Sequence, residues 1–183
     1  EIYARELFEL FTLGEDNGYT QQDIVEASRA LTGYNGWTEY CGPVEFVDWG
    51  YDSGEKTFFG QTGNWGYQDL IDILFTEREN LISEFICGKL YGYYVNPTLD
   101  ENIVSQMAQT FRANDMNIGP VLRELFACEH IYDPSNRAVR IKSPLDTVMT
   151  FQRDTNFGDF DDRLVWMFWG SAQLGEQLAE PPS

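Results

Sequence analysis

The sequence predicts a mainly α-helical fold interrupted by one long irregular segment, and three features predict it. Helix-start signatures recur at Thr20, Thr76, Thr98 and Ser143, each with an acid three residues later (Asp23, Glu79, Glu101, Asp146). The stretches that follow them space their apolar residues three and four apart, which places those residues on one helical face. Between residues 33 and 66 this pattern gives way to closely spaced glycines and to Trp37, Tyr40, Trp49, Tyr51 and Trp65, a composition that favours irregular chain over helix.

Taken in order, Ile2, Leu7, Leu10 and Leu13 keep helical spacing, so a first helix is expected from near Glu1 to Leu13, stopping at Gly14. A second starts at Thr20 and reaches about Leu31, which makes a helical hairpin. Within 33–66, Val44–Val47 and Thr57–Phe59 are flanked by turn residues and are expected to pair as one short β-hairpin. Helices follow over Gly66 to Phe75, from Thr76 through Leu90, from Thr98 through Phe111, and over 118–128. Ser143, Pro144 and Asp146 supply an N-cap, a first-turn proline and a third-position acid for the next helix. The last covers about Phe160 to Leu174.

Apolar residues make up 43% of the 183 and aromatics 15%, enough bulk to offset ordering entropy, so disorder is excluded. Residues 1–183 are read as a single helical domain and as a fragment of a longer protein, because the chain opens on Glu1 inside a helical pattern and stops in Glu180-Pro181-Pro182-Ser183. An apolar surface is therefore expected along the first helix or near that Pro-rich end, where the rest of the chain would pack and where the isolated segment would self-associate. Thirty acids against 12 bases give a net charge of −18, which disfavours nucleic acid and anionic membrane as partners. No apolar run is long enough to insert into a membrane.

Candidate chemistry is sparse. Arg5 and Glu9 stand four residues apart on the first helix, with Glu6 between them. A glutamate there can serve as a general acid or base, or the pair can lock the helix to its neighbour. Asp52-Ser53-Gly54-Glu55-Lys56 gathers two acids and a lysine in a turn, with Asp48 nearby. This turn can contact a cation, or Asp52 can cap backbone amides while Lys56 pairs with an acid. Residues 154–162 are rich in acids, a pattern that also suits a helix start. No EF-hand spacing, nucleophile elbow, phosphate-binding loop or dinucleotide fingerprint occurs. One histidine, His130, and three scattered cysteines, Cys41, Cys87 and Cys128, supply too few donors for a transition metal, so none is expected. No cofactor is expected either, beyond a weak calcium or magnesium contact at Asp52, Glu55 or the 154–162 stretch. Cys87 and Cys128 lie in apolar helical patterns and are expected to be packed as small hydrophobes.

The segments YARELFELFTLG (3–14), GYTQQDIVEASRALTGY (18–34), DSGEKTFFGQTGNW (52–65), IKSPLD (141–146) and LGEQLAEPPS (174–183) resemble, in order, the motifs of a bacterial family known as domain of unknown function 1800. The resemblance implies the helical C-terminal portion of a longer, usually exported protein, and it implies no particular activity. Phe11 and Tyr51 stand where that family often has histidine, and Tyr34 where it usually has tryptophan. Two functions follow as expectations. One is binding through the aromatic loop, with Arg5, Trp37, Trp49, Tyr51 and Trp65 as contact residues and a carbohydrate or a protein as partner. The other is a hydrolase-like enzyme using Glu6, Glu9 or Asp52 with Lys56.

Overall fold

A computed structural model describes residues 1–35, 44–156 and 160–175. Among the described residues the fold is mainly α-helical, with two short two-stranded ribbons. The chain divides into two compact units, Glu1–Asp133 and Pro134–Ser183.

In the first unit, α1 (Ile2–Glu6) runs directly into a π-helical turn, Leu7–Thr12, where a continuous α-helix was expected. Leu13 and Gly14 both donate their N–H groups to the Phe8 carbonyl, at 2.7 and 3.2 Å. The Thr12 hydroxyl takes the Leu7 carbonyl at 2.7 Å and the Lys89 ammonium takes that of Leu10, also at 2.7 Å. Side-chain donors thus add to the backbone bonding of this wider turn. The predicted stop is kept: Gly14 has φ +96°, and a Cβ there would lie 3.0 Å from the Phe85 ring.

The cap at Thr20 is a complete capping box. Its hydroxyl accepts from Asp23 N, and Asp23 Oδ2 accepts from Thr20 N, opening α2 (Gln21–Ala30). The single expected hairpin is replaced by two ribbons. β1 (Tyr34–Asn35) pairs antiparallel with β2 (Glu45–Phe46), and β3 (Lys56–Phe58) pairs with β4 (Gln61–Gly63), Lys56 opposite Gly63. The second ribbon turns through Phe59 and Gly60, both at positive φ (51° and 82°), the backbone of a tight two-residue hairpin turn. Phe59 tolerates that conformation because its N–H donates to Asp23 Oδ1 at 2.8 Å while its ring is buried.

Two later caps also move. Thr76 lies inside α3 (Tyr67–Glu77), whose N-cap is Gly66, and α4 (Glu79–Tyr94) starts from Arg78. At α5 (Glu101–Ala113) the cap is Asp100, whose carboxylate accepts from Asn102 N and Ile103 N. Thr98 instead donates its own N–H to Asn96 Oδ1. The helix α6 (Ile118–Ala127) completes this part, and short 3-10 turns follow.

One buried cluster joins Phe8, Leu13 and Ile24 to Phe58, Phe59, Leu70, Leu74 and Ile82. A second joins Cys87 and Tyr91 to Met107, Phe111, Val121 and Leu125, and Ile86 packs against both. Ile2, Tyr3, Leu10 and Phe11 are exposed, the apolar surface expected along the first helix.

The second unit contains α7 (Pro144–Thr155) and α8 (Phe160–Gln173), which pack on each other. Ser143 caps α7 as predicted: its hydroxyl accepts from Asp146 N at 3.0 Å, and Pro144 occupies the first turn. Cys41, Trp37 and the Pro-rich end fall outside the described residues, as does part of the 154–162 stretch.

Candidate functional site

Two polar networks sit at opposite ends of α2. At its start, Arg5 Nη1 lies 2.8 Å from Glu9 Oε1, and Arg5 Nη2 donates to Gln21 Oε1. Glu9 Oε1 also accepts from the Tyr19 hydroxyl at 2.9 Å, and that hydroxyl in turn accepts from Asp16 N. These polar ends are engaged in holding the first helical segment to the α2 entry. Glu6, half-buried, is the last residue of α1.

At the other end, the Arg29 guanidinium grips Asp52 with two nitrogens, Nε to Oδ2 at 2.7 Å and Nη2 to Oδ1 at 3.2 Å. Arg29 Nη1 reaches Glu26 Oε2 at 2.7 Å and the Glu55 carbonyl at 3.1 Å. Asp52 Oδ1 further accepts from Gly54 N at 2.9 Å, and Asp52 N donates to the Thr32 hydroxyl at 2.8 Å. The Asp52 carboxylate therefore acts as a turn anchor, with its oxygens already committed to Arg29 and Gly54.

Lys56 is buried, 1% exposed, and among the described residues it forms no ion pair with an acid. Its ammonium donates to the carbonyls of Asp52 and Gly54, at 2.5 and 2.9 Å, and reaches Asn64 Oδ1 at 3.4 Å. It also lies 4.8 Å from the centre of the Tyr51 ring, over its face.

From Tyr51 a row of rings runs outward. Tyr51 meets Phe46 (centroids 5.6 Å apart), Phe46 meets Tyr34 (5.3 Å), and Tyr34 meets Tyr67 (5.8 Å). Phe46, Tyr34 and Tyr67 are exposed, and a cleft of about 570 Å³ lined by Tyr3, Ser28, Leu31, Tyr34, Val44 and Tyr67 lies beside them. Trp49, in the 3-10 turn Asp48–Gly50, is 85% exposed. Trp65 is half-buried and packs against the first core cluster, its ring within 2.5 Å of where a Gly63 Cβ would stand.

The fold thus unites Asp52, Lys56 and Tyr51 in one loop and Arg5 with Glu9 in another network, and it keeps the two apart. The eight steps along α2 from Gln21 to Arg29 span about 12 Å at 1.5 Å per residue. Sequence reasoning missed Arg29, Glu26 and Thr32, the partners that fix Asp52. The signal for Arg29 was a lone cation in an acidic chain, three residues after Glu26. It also passed over Phe46 and Tyr67 as members of the aromatic face.

The Arg29 hydrogen bond, helped by the Gly54 N–H, holds the Asp52 carboxyl well below its usual range, down to about 2. A carboxyl depressed in the folded state stabilises it fully above the unfolded value near 3.8, and the contribution fades as pH falls through about 2. An acid titration followed by aromatic fluorescence should therefore show the loop loosening between pH 4 and 2, roughly the window between those two values. The Asp52→Asn variant should lack that transition.

Other reactive groups are occupied. Burial pushes the Cys87 thiol up to about 11, so it is not a thiolate at neutral pH. Cys128 Sγ donates to the Leu125 carbonyl, and His130 Nε2 lies 2.8 Å from the Tyr91 hydroxyl. Among the described residues no three His, Cys, Asp or Glu side chains are grouped to hold a metal ion. No described helix is long and apolar enough to cross a membrane.

Comparison with known proteins adds one match. The family described as a protein of unknown function, DUF1800, matches residues 1–183. No curated protein and no solved structure matches the chain.

Proposed function

Because the chain belongs to the DUF1800 family, whose description assigns no chemistry, we propose its role from the geometry: it is a recognition module of an exported bacterial protein that binds through the aromatic face around Tyr34, Phe46 and Trp49. The observation that carries this reading is Trp49, a large flat side chain 85% exposed on a turn whose flanks are pinned. Val47 N donates to the Gly33 carbonyl at 2.7 Å, and Tyr51 N donates to that of Asp48 at 3.2 Å. An aromatic ring held out on a fixed turn loses little entropy on binding and offers an apolar face to a sugar ring. The net charge of −18 favours uncharged partners over polyanions. The Asp52 and Lys56 groups, already saturated by Arg29 and by carbonyls, support a scaffolding role better than a catalytic one.

The test is a fluorescence titration with uncharged glucan and chitin hexasaccharides. Saturable quenching is expected, and Trp49→Ala should weaken binding by about tenfold, the worth of one aromatic contact of about 1.4 kcal/mol. Its far-ultraviolet circular dichroism should stay unchanged. No quenching by any of these sugars, or equal affinity in the variant, overturns the reading.

A further inference from the structure

We propose that the Lys56 ammonium is a built-in cation that organises loop 51–64 as a bound metal ion would, and that it is the positioning residue for Tyr51 and the ring row that starts there. The inference names how the proposed aromatic face is held, and rests on that reading only for calling the face a binding surface.

The stoichiometry of the site is the first argument. An ammonium has three N–H donors, and three oxygens face it: the carbonyls of Asp52 and Gly54 and the side-chain oxygen of Asn64. Burying a charge costs several kcal/mol unless hydrogen bonds replace water, roughly one for each lost hydration contact, and here they do. The second argument is placement. Two of these oxygens come from the turn before β3 and one from the residue just after β4, so one cation ties together segments that the β3–β4 register does not pair. The third is Tyr51. Its ring covers the remaining face of the ammonium, and its hydroxyl reaches Asn64 Oδ1 at 3.2 Å and the Trp65 carbonyl at 3.1 Å. Asn64 thus serves both the cation and the tyrosine. The Tyr51 ring also meets Phe46, which in turn meets Tyr34. Gly54 completes the cradle, since a Cβ there would stand 2.7 Å from Arg29 Nη2 and 3.0 Å from Asp52 Oδ1. A compact point charge suits this cradle, whereas a planar guanidinium needs a forked partner that the three oxygens do not form.

The experiment reads the loop itself, so its failure is separable from a failure of sugar binding. Amide hydrogen exchange over residues 50–65 is measured by mass spectrometry in the wild-type chain, in Lys56→Met and in Lys56→Ala. Both variants should exchange there at least about tenfold faster, with the α4 to α6 peptides unchanged, the pattern of a local opening. Adding n-propylammonium to Lys56→Ala should restore protection saturably, and neither 1-propanol nor sodium chloride at equal ionic strength should do so. Protection in Lys56→Met equal to wild type, or equal rescue by 1-propanol, overturns the proposal, because then only bulk matters. Should the variants not fold, the chain's three lysines allow a test on the unmodified protein. Mild acetylation should modify Lys56 at least about tenfold more slowly than the exposed Lys89 and Lys142, as buried groups react only on opening. Equal rates overturn the proposal.

Discussion

Phe8→Ala is expected to destabilise the Glu1–Asp133 unit by about 3–5 kcal/mol, read as a shift in the urea midpoint at constant slope. Phe8 is 0% exposed and stands where the π-helical turn meets the hairpin. Its ring centroid lies 5.6 Å from that of Tyr19 and 5.2 Å from that of Phe59. The cost of such a truncation depends on how far neighbours can collapse into the void, and these neighbours are held. Tyr19 is tied through its hydroxyl to Glu9 and Asp16, and the Phe59 backbone is tied to Asp23. The Arg78 guanidinium also lies 4.6 Å from the Phe59 ring centre. The cavity should persist, which places the cost in the upper part of that range. Phe11→Ala, three residues on, is the internal comparison. Phe11 is 66% exposed, and its truncation should change stability by less than about 0.5 kcal/mol. Equal losses in the two variants would contradict the burial pattern of the first helical segment.

That contrast shows what was legible in the sequence. Periodicity marked Leu7, Leu10 and Leu13 as one apolar face, and the helix was found where expected. The π-turn, which leaves Leu10 and Phe11 exposed, was not legible, and one of the contacts at it comes from Lys89, 79 positions from Leu10, whose ammonium donates to the Leu10 carbonyl. The caps at Thr20 and Ser143 were legible because a capping box is a local bargain between residues three apart. At Thr98 the same spelling failed, since Asp100 is an equally local and more strongly charged acceptor closer to the helix start. The β pairing was illegible for a different reason. A Phe-Gly turn with both residues at positive φ is not a preferred spelling, and here a residue from α2, Asp23, holds the Phe59 amide. The same holds for the candidate site. The acids and the lysine of 52–56 could be read as a polar constellation, but their partner Arg29 and the carbonyl cradle of Lys56 are products of tertiary packing.

Gly33→Ala is expected to cost about 2–5 kcal/mol and to disrupt the aromatic face, and it separates two contributions that usually travel together. Gly33 has φ +91°, where an L-residue pays about 1–2 kcal/mol for its Cβ. A Cβ there would also stand 2.6 Å from Phe46 Cε2 and 3.0 Å from Tyr51 Cβ, and such overpacking adds about 1–3 kcal/mol. Phe46 cannot step aside freely, because its ring is fitted between Tyr34 and Tyr51, and the following residue, Val47, donates to the Gly33 carbonyl. Gly60→Ala isolates the first contribution. Gly60 has φ +82° with nothing within 4 Å of where a Cβ would stand, so only the backbone cost of about 1–2 kcal/mol should appear. Urea unfolding of the two variants, with near-ultraviolet circular dichroism for the ring row, makes the comparison. Gly33→Ala should lose more stability than Gly60→Ala and should alone flatten the aromatic signal. Equal losses with an unchanged aromatic spectrum would mean that Phe46 and Tyr51 do not close over Gly33, and the rigid presentation of Trp49 would lose its structural basis.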